Sequence, residues 1–418
     1  MTPEIKQRID KICHGEVPEG YQRTFLGIAP KSWDKSRIDK ICRLSSGSTP
    51  RRDAVENFAG DILWVTSGEL KRRTIEDTRE KISETAVVNS HLEIYDPGTV
   101  VIAIYGLEAA GIRGTVSIIG KQCTISQACM AFTEFKGIDN EFFYYWYLNN
   151  GQVIGLRYAQ GTKQQNLSTD IVGSFPICFP SQWEQQKIAA ILTTQDRVIE
   201  LKEKRLAEKQ RQKKYLMQQL LTGKKRLPGF YGAWSFPKAK ELFQSVSDKD
   251  HNGDLAVLSS TQDRGIVPRD EVDIDIKYDA CSLVNYKKVS KGNFVISLRS
   301  FQGGIEYSTY TGLVSPAYTV LSSRKEISDG YYKQFFKSTD YINRLNVAVY
   351  GIRDGKQISY EDFGRLRIPY PPIKEQDAIA EVLSTADREI ELLQQDIEQE
   401  KQKKKALMQL LLTGIVRV

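Results

Sequence analysis

Residues 184–222, EQQKIAAILTTQDRVIELKEKRLAEKQRQKKYLMQQLLT, align without a gap to residues 375–413, EQDAIAEVLSTADREIELLQQDIEQEKQKKKALMQLLLT. The offset is a constant 191, 19 of the 39 positions are identical, and Gly223 matches Gly414 just beyond. Any fold must therefore contain this segment twice. Pro180 and Pro371 stand before the copies, the two glycines after them, and neither copy contains Pro or Gly, which predicts two uninterrupted helices. At 1.5 Å per residue each would be roughly 58 Å long. Ile188, Leu192, Gln195, Ile199, Lys202, Leu206, Lys209, Lys213, Leu216 and Leu220 recur at steps of three and four. Their counterparts are Ile379, Leu383, Ala386, Ile390, Leu393, Ile397, Glu400, Lys404, Leu407 and Leu411. This is a heptad seam, apolar at both ends and partly polar in the middle.

The first copy has nine basic and five acidic residues and the second five and nine, so the copies carry +4 and −4. Unlike copies attract and like copies repel, which favours pairing of the two helices within one chain. The chain order is module, helix, module, helix, so paired helices run antiparallel, related by a pseudo-two-fold, with the modules expected at opposite ends. Boundaries fall at 1–180, 181–223, 224–371 and 372–418. The net charge of +7 does not sit in the modules: residues 1–183 balance at 21 against 21, and 229–374 hold 20 basic and 17 acidic residues. Any polyanion partner would be met by local patches.

Both modules read as α+β. Strand patterns occur at 61–67, 99–106 and 114–120 in the first, and at 254–260, 293–298 and 312–323 in the second. Each is followed by an aromatic helix, NEFFYYWYLNN (140–150) or DGYYKQFFKST (329–339), whose rings recur at core spacing. Two polar loops come next, YAQGTKQQNLSTD (158–170) and VYGIRDGKQISYED (349–362). Their amides, hydroxyls and cations suit phosphate oxygens and base edges, although ordinary surface loops share that composition. The candidate DNA contacts are Lys163, Gln164, Gln165, Asn166, Arg353, Lys356 and Gln357 in these loops. The basic patches add Arg51, Arg52, Lys71, Arg72 and Arg73 in module one, and Arg299 and Gln302 in module two. KVSKGN (288–293) is a further basic stretch.

Other chemistries find little footing. Cys13, Cys42, Cys123, Cys129, Cys178 and Cys281 form no CxxC pair and there are three histidines, so a zinc site has no ligand cluster at short spacing. The most apolar stretch, around 98–112, is too short for a bilayer span and is broken by Glu108, and the polar opening MTPEIKQRID does not resemble a secretory signal; a cytoplasmic protein is expected. Neither GxxxxGK(S/T) nor GxGxxG occurs. Asp61, Glu69 and Lys71 spell the D…ExK pattern of metal-dependent nucleases. In a chain that is 27% charged this arises readily by chance, and Glu200-Leu201-Lys202 repeats it on a helix face. PYPPI (369–373) has Tyr370 where an amino-methyltransferase would need Asn or Asp, and reads instead as a rigid lead-in to the second helix.

With the helix repeat, its Pro180 to Glu184-Gln185 and Pro371 to Glu375-Gln376 openings and its Leu-Leu-Thr-Gly endings, the sequence resembles the specificity (S) subunits of type I restriction-modification enzymes over essentially its whole length. Gly47-Ser48-Thr49-Pro50, Trp64-Val65, Gly161-Thr162, Asn166-Leu167, Ser315-Pro316-Ala317-Tyr318 and Gly351-Ile352-Arg353-Asp354-Gly355-Lys356 look like family loops. The resemblance implies two globular α/β target-recognition domains held apart by long antiparallel coiled-coil helices. Each would read one half of an asymmetric bipartite site in double-stranded DNA. The helices would set the gap and dock two methyltransferase subunits, with two restriction subunits joining. No cofactor is expected on this chain; S-adenosylmethionine, ATP and Mg²⁺ would belong to the partners of this phage-defence complex. The alternatives are the specificity partner of a fused type II restriction-methylation enzyme, a self-contained nuclease using Asp61, Glu69 and Lys71, or a coiled-coil scaffold.

Overall fold

The protein is described as a computed structural model covering residues 2–104, 115–158, 167–262, 264–272, 280–298, 300, 304–348 and 358–418. It divides into two compact units, Met1–Leu201 with Ile397–Val418, and Lys202–Asp396. The cut falls inside the long helices and not at their ends. Each module's core is continuous with one end of both helices, and that shared core decides the partition.

The repeat forms two helices of 39 residues each, Gln182–Leu220 and Ile373–Leu411, so the bounds themselves obey the 191-residue offset. None of the seam positions is exposed, whereas most positions between them in the central turns are. Ile188, Leu192, Ile379 and Leu383 are fully shielded, and Ile199, Leu220, Ile397 and Leu411 are buried. Leu206, Leu216, Ile390, Leu393 and Leu407 are half-buried. In the first unit Gln195 Nε2 donates to Glu400 Oε2 at 2.6 Å and Lys404 meets Asp196 at 2.5 Å. In the second, Lys202 meets Asp396, Lys209 meets Glu389 and Lys213 meets Asp387, at 2.8, 2.6 and 2.5 Å. Partner numbers fall on one helix as they rise on the other, so within each unit the segments pack antiparallel. The three pairs of the second unit run from the basic copy to the acidic one, as the charge count predicts.

In the first unit, a five-stranded sheet runs in the order Arg43–Ser46, Cys129–Thr133, Val100–Ala103, Val116–Ile119 and Thr74–Ile75. It is antiparallel except at the last pair. One face packs under helix Asn140–Tyr158, where Phe142, Phe143, Tyr145 and Tyr147 are all inaccessible, so the aromatic run is core. The same cluster takes in Ile188 and Leu192 from one long helix, Met408 and Leu411 from the other, and Leu412 just beyond its end. Burying each such aliphatic chain is worth about 1.5–3 kcal/mol.

The second unit repeats the plan with an antiparallel sheet in the order Phe243–Val246, Thr319–Ser323, Phe294–Ile296 and Glu306–Tyr307. Tyr331, Tyr332 and Phe335 of helix Asp329–Phe335 share its core with Leu220, Leu221, Ile379 and Leu383. The strand expected over 312–323 is two strands, Gly312–Val314 and Thr319–Ser323. Ser315-Pro316-Ala317-Tyr318 turns between them, with Tyr318 N–H donating to the Ser315 carbonyl, because Pro316 has no N–H for a ladder. Among the described residues no helix is long and apolar enough to cross a membrane.

Candidate nucleic-acid interface

Module one carries its described basic candidates on two loops. Arg51, on the Gly47–Asp53 loop, is 82% exposed and pairs with Asp53, which holds the guanidinium pKa up and the carboxyl below its usual range. Arg52 forks onto both oxygens of Glu80 and lies over the rings of Phe58 and Trp64 at 4.6 and 5.1 Å. Trp64 donates its indole N–H to the Ser48 carbonyl at 3.2 Å, so the two family-like motifs at 47–50 and 64–65 form one structure. Gly47 is required there: a Cβ would sit 1.9 Å from the Ile125 carbonyl oxygen. Lys71 and Arg72 are exposed on the second loop.

Arg73 differs from its neighbours. Its guanidinium is half-buried, hydrogen-bonds to Glu141 and Thr193, lies 3.9 Å from Asp196, and covers the rings of Tyr144 and Tyr145. Burial alone would lower its pKa, but Tyr145 and Glu141 hold it above the ordinary arginine value. Of the described basic candidates in this unit, Arg73 alone is turned away from solvent. Lys163, Gln164, Gln165, Asn166, Arg299, Gln302, Arg353, Lys356 and Gln357 lie outside the described residues.

In the second module Lys287 donates to the Tyr318 carbonyl at 2.6 Å, and Lys288 lies 3.7 Å from Asp248. Burial, and then the neighbouring Lys249, push the Lys287 pKa down. A cationic patch thus abuts the Ser315–Tyr318 turn; the sequence stretch 288–293 touched only its edge.

Glu69 of the D…ExK pattern is engaged in a local cap. Glu69 Oε2 accepts from the Thr66 N–H and hydroxyl, at 2.7 and 3.2 Å, and Oε1 from the Arg79 N–H at 2.7 Å. Glu69 closes a capping box, and both its oxygens serve backbone donors. Among the described residues no group of three His, Cys, Asp or Glu could hold a metal ion. Tyr370 of PYPPI is backbone-paired to Ser235, and the Pro371 carbonyl accepts from Gln376 Nε2, which makes the segment the expected rigid lead-in.

The helix openings Glu184-Gln185 and Glu375-Gln376 carry polar residues that lie off the heptad seam. Gln185 Nε2 donates to the Pro180 carbonyl and its Oε1 accepts from the Asp139 N–H. Gln376 does the same with Pro371 and the Ser328 N–H. Glu184 receives both arms of Arg417, at 2.5 and 2.6 Å, and Glu375 both arms of Arg226 at the same distances. Both glutamates are buried. Each arginine lies over a tryptophan, Arg417 over Trp33 and Arg226 over Trp234. Asp196 and Asp387 are equivalent as well, the first held by Lys404 and Tyr145, the second by Lys213 and Gln334. The signal for all of them was identity at polar positions that packing does not demand.

The model of the type I restriction modification DNA specificity domain matches this chain twice, over residues 30–211 and 233–402. Over 188 residues the chain is 30% identical to the type I restriction enzyme MjaIX specificity subunit of Methanocaldococcus jannaschii, which covers 44% of this chain and 42% of that protein. With the MjaVIII specificity subunit of the same organism the identity is 23% over 418 residues, 93% of this chain and 94% of the relative. The chain thus spans under half of the first relative and nearly all of the second. Two solved structures share the fold. The type I restriction-modification S subunit from M. genitalium gives a TM-score of 0.55 at 14% identity, covering 91% of this chain and 96% of that one. A chain from a structure of the assembly and conformational transition of the type I R-M system gives 0.57 at 16%, covering 93% and 99%. With both matched segments together taking in most of its length, the chain belongs to the type I restriction modification DNA specificity family.

Proposed function

We propose that this chain is the non-catalytic DNA-recognition subunit of a type I restriction-modification complex. Each module reads one half of a bipartite site, and the paired helices fix the gap between the halves. The observation that carries this reading is the double match of the specificity model, one copy for each module with its following helix. The two modules share a plan but little sequence, so the half-sites differ and the whole site is asymmetric. Module one meets DNA through Arg51, Arg52, Lys71 and Arg72, whose exposed cations neutralise phosphates, and the loops at 158–170 and 349–362 supply base contacts. The helices dock two methyltransferase subunits that use S-adenosylmethionine to methylate adenine N6, one on each strand, and restriction subunits driven by ATP join them in the cytoplasm.

The test is co-expression with the methyltransferase partner, followed by methylation mapping of host DNA by direct sequencing. An asymmetric bipartite motif with N6-methyladenine in each half is expected. An active partner that leaves no such motif would overturn the reading.

A further inference from the structure

We infer that Arg73 is a positioning residue: it ties the basic loop of module one to the helix pair through Asp196, and so holds the module's DNA-reading loop in fixed register with the helix that follows it. This rests on the proposed function for its consequence, but its physical premise stands on geometry alone.

Asp196 is a three-way hub. Its Oδ1 takes the Lys404 ammonium at 2.5 Å, and its Oδ2 takes the Tyr145 hydroxyl at 2.7 Å. Arg73 Nε, which is buried and makes no hydrogen bond of its own, lies 3.9 Å from that same Oδ2. The hub therefore joins both long helices, the aromatic helix and the edge of the sheet. Arg73 immediately precedes edge strand Thr74–Ile75, its carbonyl accepts from the Ile118 N–H, and the Arg72 carbonyl accepts from the Ser117 hydroxyl. The backbone that carries exposed Lys71 and Arg72 is thus anchored at the Arg72 and Arg73 carbonyls and at the Arg73 side chain. Three consecutive cations are tolerated here because Arg73 turns inward to Glu141 while the other two stay in water. Hydrophobic packing of the module on the helices is non-directional and admits small rotations, whereas a charge-assisted guanidinium hydrogen bond is directional.

Among its described residues the second unit shows no such tether. Asp387, at the position equivalent to Asp196, is met by Lys213 and Gln334, and among the described residues no arginine of the second sheet reaches it. The equivalence makes Asp387 a matched control.

Two measurements on the complex co-expressed with its methyltransferase test the inference. The first is hydrogen exchange of residues 70–75. Arg73→Met and Asp196→Asn should each speed exchange there by about fivefold or more, a typical coupling between linked sites, and Asp387→Asn should leave it unchanged. Unaltered exchange in Asp196→Asn would overturn the tether whatever the DNA results. The second is methylation of DNAs that carry both half-sites at the native gap and at one base pair more or less. Arg73→Met should raise off-gap relative to native-gap methylation by about fivefold to tenfold, with the bases of both half-sites unchanged. Arg73→Lys keeps the charge but not the planar guanidinium and should show the same trend more weakly, which covers the case in which Arg73→Met does not fold. Gap discrimination identical to wild type in these variants overturns the inference alone. A wild-type complex with no bipartite motif overturns the functional reading, and the exchange result then still decides whether the tether exists.

Discussion

The two module–helix junctions are built from the same residues in opposite circumstances. In the second unit Gly223, Arg226 and Trp234 follow one another along 12 residues of chain, so ordering one nearly orders the others. In the first unit Gly414 and Arg417 come back to Trp33 across more than 380 residues. The chemistry at Glu184 and Glu375 is alike, but the first junction must be closed by contacts alone. Its extra fastenings are consistent with that. The buried Tyr21 hydroxyl donates to the Gly414 carbonyl at 2.7 Å, Arg8 donates to the Ile415 carbonyl at 2.5 Å, and Arg8 covers the Tyr21 ring. The junctions also differ at the indole: Trp234 donates its N–H to Glu375 at 2.9 Å, whereas the Trp33 N–H is buried without a partner among the described residues. A long-range junction is rebuilt by added clasps, and a local one by its own sequence.

Removing each arginine should break this comparison most sharply. Arg417→Ala leaves Glu184 buried with no donor and should cost the first unit about 3 kcal/mol, at the low end for a broken buried pair because Arg417 is half exposed. Arg226→Ala leaves Glu375 its tryptophan donor and should cost the second unit about 2 kcal/mol. Hydrogen exchange resolved to each unit checks both, and equal losses would contradict the role given to Trp234.

The glycines come next in size. Gly414 has φ +69°, and a Cβ there would lie 2.5 Å from Pro30 and 2.8 Å from Trp33; at Gly223, φ +71°, the nearest atom of Trp234 is 3.0 Å away. Gly223→Ala should cost about 1 kcal/mol from left-handed backbone strain. Gly414→Ala should cost about 2 kcal/mol or more, since a clash with a rigid proline is added. Denaturant midpoints that rank the two the other way would refute this account.

The helix-to-helix ion pairs should give the smallest effects, and in the second unit. Lys209→Glu should destabilise it slightly, less at high salt, with stability restored by adding Glu389→Lys. Lys209 holds the Glu389 carboxyl below its usual pKa. A depressed carboxylate contributes stability above the unfolded pKa, about 4.3, and loses it as pH falls through the folded value. An acid titration of wild type against Lys209→Glu should therefore converge below that pH.

Much of this was legible in the residues. The helices were, because a 39-residue gapless repeat with a seam leaves one periodicity and the charge signs leave one pairing. The aromatic helices were, because their rings recur at the spacing of a buried helix face. The strand order was not, since short runs such as Val100–Ala103 and Cys129–Thr133 specify a strand but not its neighbour. The junction pairs were half visible. Extending the 191-residue offset three places past Gly223 reaches Arg226 and Arg417, but nothing local announces that they meet Glu375 and Glu184. Arg73 reads like Arg72 in sequence, and only the fold separates a cation facing water from one facing Asp196.

The central claim is that each unit reads its own half of a bipartite site. Replacing residues 15–178 with the corresponding module of another specificity subunit, then mapping adenine methylation in the co-expressed complex, tests it most directly. The account predicts that one half-site changes while the other half-site and the gap stay the same; a change in both half-sites, or in neither, would contradict it.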